Sequence, residues 1–420
     1  MRAPASSNAK STDSPGFPIV GIGASAGGLE AFTALLNHLP PDTGMAFVLV
    51  QHLDPQHESA LTQLLARATS MPVREIASNT RVKADHVYVI PPNTDLSISR
   101  GILALRPRER TDRGNRSIDL FLESLAQDQG ERAIGVILSG TASDGTLGLE
   151  AIKAEGGITF AQDDTARHDS MPRSAIAAGC VDLVLAPQGI AKELERIARH
   201  PYLARQRRER RPPAAGNGAS ATRLPLGAAA PPAHSATDGA KLPRGKRRPR
   251  QASTTAEAAF KKILLLLRDR TGVDFSVYKP ATLQRRIARR MVLTKHEDPG
   301  AYATFLRSNR DEIDALYRDA LINVTGFFRN AEAFDVLKGT VFSKALQRRV
   351  DQPYRAWVLG CSTGEEAYSI AMAFMEAADN APHVRRLQLF ATDLNETLLS
   401  RARHGLYARH LVQDVSPERL

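Results

Sequence analysis

The chain has 420 residues, 42% of them hydrophobic, with 56 Lys and Arg, 45 Asp and Glu, and two cysteines. That length predicts two or three domains; no apolar run approaches the roughly 20 residues that span a bilayer, and MRAPASSNAKSTDSPG lacks a signal-peptide apolar core, so a reduced cytoplasmic protein is expected. The net charge of +11 invites a nucleic-acid reading, but residues 201–250 hold twelve basic residues against two acids, so the basicity belongs to one segment and not to a folded face.

Residues 1–16 read as a disordered terminus. Residues 17–200 alternate apolar runs with amphipathic ones: FPIVGIGAS, GGLEAFTALLNHL, MAFVLVQH, SALTQLLARAT, then RAIGVILSG, GTLGLEAIKAEG, GITFAQD and IAKELERIARH. Apolar runs without strict alternation, each followed by a helical pattern, predict parallel strands buried on both faces in a doubly wound α/β domain. The stretch from VREI to ILALRP reads as short β-rich excursions. Residues 201–255, rich in Ala, Pro and Arg, predict a disordered linker. Residues 256–350 carry helical patterns. From 351 a strand-like YRAWVLGCS opens a new βα pattern that runs to 420. A small helical domain followed by the start of a second α/β domain is expected.

The segment VGIGASAGGLEAF fits two motifs at once. Gly21, Gly23 and Ala26 match a relaxed dinucleotide fingerprint; Gly23, Ser25 and Gly27 match a nucleophile elbow. A dinucleotide site needs an acid about 20 positions on, at the end of the next strand. That strand instead ends in Gln51-His52. A histidine there suits a serine nucleophile, whose hydroxyl needs a base. The run RAIGVILSG leads to Asp144 at the start of a Gly-rich turn, where an acid can orient the imidazole. Ser25 and Asp144 also suit plain helix caps, and His52 a core histidine. Placement at three predicted strand ends favours catalysis. His52 and His57 lack a third ligand at metal-site spacing, so no metal is expected.

These segments, with HVYVIPPNTDLSI, RSIDLFLESLAQDQGERAIGVILSGTASDGTLGLEAIKAEGG and DSMPRSAIAAGCVDLVLAP, resemble the catalytic domain of the chemotaxis receptor methylesterases, the CheB family. The resemblance implies hydrolysis of γ-glutamyl methyl esters on chemoreceptors, and glutamine deamidation, without a cofactor. By motif position it implies Ser25 as nucleophile, His52 as base and Asp144 as orienting acid. Oxyanion donors would be the backbone N–H groups of Ala26 and Thr141, where the family often carries threonine and methionine. The family's receiver domain has no room in the 16 residues before the first strand, so control is expected from partners of a histidine-kinase or response-regulator pathway. A cytoplasmic place beside receptors at the inner membrane face is implied.

In the second half, RAWVLGCSTGEEAYSIAM again reads strand, glycine turn and helix, and here the next strand, RLQLFATD, ends in an acid, Asp393. With LINVTGFFRN and FATDLNETLLSRARHGLY it resembles the CheR receptor methyltransferases. That implies a Rossmann-like fold and S-adenosyl-L-methionine as cofactor, with Asn323, Thr325, Arg329, Glu366 and Asp393 as its contacts. The helix TLQRRIARRM sets Arg285, Arg286, Arg289 and Arg290 along one side. In the family such a helix faces acidic receptor helices; a solvated face is the plain alternative. A complete transferase sheet needs about seven strands, so a fusion cut short is expected, with activity in the esterase half. Transferase activity and a non-catalytic signalling scaffold stand as alternatives.

Overall fold

A computed structural model describes residues 15–51, 61–108, 116–201, 250–321, 325–347, 352–379, 381, 385–407, 412, 415–416 and 418–419. His52 and Asn323 lie outside the described residues, as does most of the expected linker.

The first unit is built on seven parallel strands. In sheet order they are β10 (Leu183–Leu185), β9 (Ile158–Gln162), β8 (Ala133–Ile137), β1 (Ile19–Ala24), β2 (Ala46–Gln51), β5 (His86–Val89) and β3 (Val73–Glu75). β1, β8 and β9 are buried at every position, which is why their sequences are apolar runs without alternation. Three short strands, β4 (Thr80–Arg81), β6 (Thr94–Ser99) and β7 (Ile102–Pro107), form a separate antiparallel sheet. The β-rich excursions thus divide between two sheets.

Helices α1 (Gly28–Leu36) and α6 (Pro187–Arg199) cover one face, where Phe32, Leu35, Ile190, Leu194 and Ile197 share a core with β1, β2 and β8. A short α2 (Leu61–Leu65) joins the same core. Helices α3 (Ser117–Gln129) and α4 (Thr146–Ala154), with α5 (Ser170–Ala178), cover the other face through Ile118, Phe121, Leu122, Leu149 and Ile152. The chain leaves β1 toward β2 on one side and returns to β8 on the other. The carboxyl ends of β1 and β8 therefore border the crevice where strand order reverses, the usual ligand position in such sheets.

The second unit packs α7 (Arg250–Thr271), α8 (Pro280–Leu293), α9 (Pro299–Ser308) and α10 (Arg310–Ala320) around Ile263, Leu267, Phe275, Leu283, Tyr302 and Leu316. The α7 backbone is helical from Arg250, inside the stretch expected as linker. Asp298 and Asn309 start α9 and α10 by accepting backbone N–H bonds from Ala301 and Glu312. The third unit holds α11 (Ala331–Val336), a π-helical turn at 337–342, α12 (Ser343–Leu346), β11 (Tyr354–Leu359), α13 (Glu365–Asp379), β12 (Leu387–Thr392) and α14 (Glu396–His404). Its two strands pair in parallel. The arginine side of α8 is neither solvated nor open: Arg286 and Arg289 are buried against the first unit, and Arg290 pairs with Glu312.

Candidate active site

The turn after β1 is held from three sides. The Ser25 N–H donates to the Ser139 carbonyl (3.0 Å), tying the end of β1 to the end of β8, and the Ser25 carbonyl accepts from the Gly28 N–H (3.0 Å). Gly27 sits at φ +75°, where a side chain is strained, and a Cβ there would approach Ser139 Oγ to 2.7 Å. Ser139 is buried. Its Oγ donates to the Ala26 carbonyl (2.8 Å) and accepts from the His168 N–H (3.0 Å), while its N–H donates to Gln162 Oε1 (2.9 Å). Gln51, the last residue of β2, reaches the Ser25 carbonyl through Nε2 at 3.4 Å. Gly140 donates to the His168 carbonyl, and a Cβ on it would lie 2.1 Å from Met171 Sδ and 3.0 Å from Ser25 Cβ. Ser25 is left half-buried on a fixed turn. Among the described residues no protein group accepts from the N–H of Ala26 or Thr141.

Asp144 is buried at the far end of the β8 loop. Its carboxylate accepts the N–H groups of Ile118 (3.0 Å) and Asp119 (2.9 Å) in the first turn of α3. Asp119 returns the arrangement: its Oδ1 accepts the N–H groups of Gly145 and Gly148 in the first turn of α4, both at 2.9 Å. Two helix N-termini thus share two carboxylates, each satisfying the other's orphan donors. Burial, and then the neighbouring Asp144 carboxylate, push Asp119 well above the usual carboxylate range. Ile118 also packs where a Cβ on Gly23 would stand, 2.4 Å from its Cγ2, so the Asp144 clamp bears directly on β1. Between Gly140 and Asp144, Ala142 is held at φ +70°, a conformation costing about 1 kcal/mol or more for a residue with a side chain.

The structure therefore gathers Ser25, Ala26, Thr141 and Asp144 at the β1–β8 crevice. Sequence reasoning missed Asp119, Ser139, Gly140 and Gln51 as supports. The segments ILSG and VLVQH did announce strand ends; nothing in the sequence singled out Asp119.

Of the expected cofactor contacts, Thr325, Arg329, Glu366 and Asp393 are described, and they lie on or near the start of α13. Asp393, just past β12, accepts the Ser362 N–H (2.8 Å) and the Asn395 N–H (2.7 Å). Gly360 sits at φ +71° facing open space. Glu366 is exposed in the first turn of α13. The segment bearing half-buried Thr325 and exposed Arg329 is tied to α13 by the Phe328 N–H, which donates to Ser369 Oγ (2.9 Å).

The family model for CheB methylesterase matches residues 20–194. The all-alpha domain of CheR methyltransferase matches 258–321, and the CheR SAM binding domain matches 323–420. A putative protein-glutamate methylesterase/protein-glutamine glutaminase of Leptospira interrogans is 36% identical over 183 residues, 43% of this chain and 95% of that protein. The chain belongs to the CheB methylesterase family. Beyond the CheB unit, an uncharacterized 104.1 kDa protein of Rhodobacter capsulatus is 36% identical over 358 residues, 84% of this chain and 35% of its own length. A Burkholderia pseudomallei protein-glutamate methylesterase/protein-glutamine glutaminase is 39% identical over 179 residues, 42% of this chain and 52% of that protein. The chain thus spans about a third to a half of these two longer relatives. The crystal structure of the Thermotoga maritima CheB methylesterase catalytic domain is 30% identical, with a TM-score of 0.40, over 43% of this chain and 97% of that one. Among the described residues no helix is long and apolar enough to cross a membrane.

Proposed function

We propose that the CheB unit hydrolyses γ-glutamyl methyl esters on chemoreceptor-like signalling proteins, with Ser25, His52 and Asp144 as its catalytic set. The observation that carries this reading is the Ser25 turn: a serine on a backbone fixed at the crevice, beside the N–H groups of Ala26 and Thr141, which no protein group claims among the described residues. Such donors suit the oxyanion of acyl transfer. Ser25 Oγ attacks the ester carbonyl, His52 takes its proton, and methanol leaves with that proton. Water then attacks the acyl-serine, losing a proton to His52, and frees the glutamate and the Ser25 hydroxyl. The Asp144 carboxylate, pinned by two N–H groups, would orient the imidazole and stabilise its positive charge. Deamidation of glutamine follows the same steps with ammonia as leaving group, in keeping with the two-part names of the Leptospira and Burkholderia relatives.

Methanol release from a methylated chemoreceptor fragment tests this. Ser25→Ala is expected to reduce release by about a thousandfold or more. Release unchanged in Ser25→Ala sinks the assignment.

A second reading, binding of S-adenosyl-L-methionine, is favoured by Gly360, whose missing side chain leaves the open space beside the turn that a ligand would fill. Bound there, the cofactor supplies an electrophilic methyl group. Asp393 shapes the turn through Ser362, Glu366 offers an exposed carboxylate, and Arg329 an exposed guanidinium.

A further inference from the structure

The arginine face of α8 is occupied by the CheB unit. Arg286 Nη1 donates to the Lys153 carbonyl (2.8 Å) and Nη2 to the Ala154 carbonyl. These are the last carbonyls of α4 and carry the negative end of the helix dipole; that of Lys153 also accepts the Gly156 N–H (3.1 Å). One turn on, Arg289 Nε donates to the Gly157 carbonyl (2.8 Å), and its guanidinium pairs with Asp182 across the units and with Asp319 inside its own. The Arg289 and Asp182 side chains are 1% and 4% exposed, so this is a dry contact that salt screens little. Further along, Val292 enters the core shared by α1 and α6, the His200 ring Nε2–H donates to the His296 carbonyl (3.1 Å), and Lys295 pairs with Glu193 (3.4 Å).

The position of this contact decides its consequence. Ala154, Gly157 and Asp182 precede β9 and β10, at the amino ends of the strands. The Ser25 crevice lies at the carboxyl ends. Docking therefore spares the esterase site and consumes the basic face.

We propose that the CheB unit is the intramolecular partner of the α8 arginine face, so that the docked chain keeps an open esterase crevice while withholding Arg286 and Arg289 from acidic partners. Arg286 is the clean reporter, because both its bonds cross the interface. Phenylglyoxal labelling of the full chain, read by mass spectrometry, compares Arg286 with exposed Arg307. Arg286 is expected to react at least about tenfold more slowly, the protection that a docked equilibrium confers. Asp182→Lys, which leaves α8 itself untouched, should bring Arg286 to the rate of Arg307. Because Asp182 also accepts from Thr159, a second variant guards against misfolding of the CheB unit. Arg286→Glu sets a carboxylate against the α4 carbonyls and should raise the radius of gyration of the full chain in small-angle scattering, with methanol release retained. Fast labelling of Arg286 in the unaltered chain, or an unchanged radius of gyration in Arg286→Glu, overturns the proposal.

Discussion

The turns after β1 and β11 share a local grammar: an apolar strand, a glycine at positive φ (+75° at Gly27, +71° at Gly360) and a helix. What surrounds them differs. β1 pairs on both sides and is buried throughout, and its turn is tethered by Ser139, Gly140, Gln51 and the Asp119–Asp144 pair. Among the described residues β11 pairs with β12 alone, Trp357 and Leu359 are 66% and 69% exposed, and the turn is held by the Thr392 carbonyl, which accepts the Gly360 and Cys361 N–H groups (2.8 and 3.0 Å), by the Asp393 carboxylate and by the Tyr407 hydroxyl on the Thr363 carbonyl (2.6 Å). Sequence grammar thus sets the path of such a turn, while neighbouring elements set how firmly it is held. The proposed attack of Ser25 on an ester carbonyl would need the first arrangement. A loop that wraps a ligand works with the second.

The sharpest break is at the carboxylates. Asp119→Ala strips the acceptor from the buried Gly145 and Gly148 N–H groups, and each lost partner costs about 1–3 kcal/mol. A stability loss of about 3 kcal/mol in denaturant unfolding is expected, with methanol release falling as the Asp144 loop loosens. Asp119→Asn keeps an acceptor oxygen and should stay within about 1 kcal/mol of the unaltered chain. Asp393→Ala, at the half-buried counterpart, should cost about 1 kcal/mol and leave methanol release unchanged. Equal losses at Asp119 and Asp393 would erase the distinction between the two turns.

Glycines give the next contrast. Gly140→Ala drives a Cβ into Met171, which is wholly buried, and against Ser25. Overpacking of this kind costs about 1–3 kcal/mol, and a displaced nucleophile loses rate by about tenfold to a hundredfold. Gly360→Ala meets no atom and pays only the left-handed backbone, about 1 kcal/mol. Its expected signature is weaker S-adenosyl-L-methionine binding in calorimetry with a melting temperature lowered by only a few degrees.

Much of the first unit was legible because burial on both faces writes itself as apolar runs, and because Ser25 and Asp144 sit at the ends of such runs. The doubly wound order followed from that pattern. Which excursion strands join the main sheet was not legible, since β5 pairs with β2, and β3 with β5, by tertiary contact alone. Nor was the fate of α8. Its arginines read as a surface face because their partners lie 133 residues away at Lys153 and 107 away at Asp182. Charge patterning within one helix cannot announce a carboxylate that distant. Asp119 was hidden the same way: its partner Gly145 is 26 residues on. His52 and Asn323 lie outside the described residues, so their parts in the two sites remain proposals.

The smallest effect sharpens the comparison most, because one residue of the first unit feels the charges of the third. Glu150 on α4 faces Glu365, at the start of α13, with Arg401 of α14 and Lys153 of its own helix nearby. Burial, and then the Glu365 charge, raise its carboxyl to about 7 from 4.5. The folded chain therefore binds a proton here that the unfolded chain releases above its lower value. The stabilisation this provides is fully present below about pH 4.5 and fades as pH rises through about 7. Melting temperatures of the full chain between pH 5 and pH 8 should accordingly fall by a few degrees more than in Glu150→Gln, equivalent to about 1 kcal/mol after allowance for partial exposure. The substitution carries no titrating group, so its curve should be flatter, and the two chains should converge at pH 5. Methanol release should be alike in both at every pH, because α4 meets the CheR units away from the crevice. If instead Glu150→Gln shifts the pH profile of ester hydrolysis, the two turns are linked through α4, and their separation no longer describes the chain.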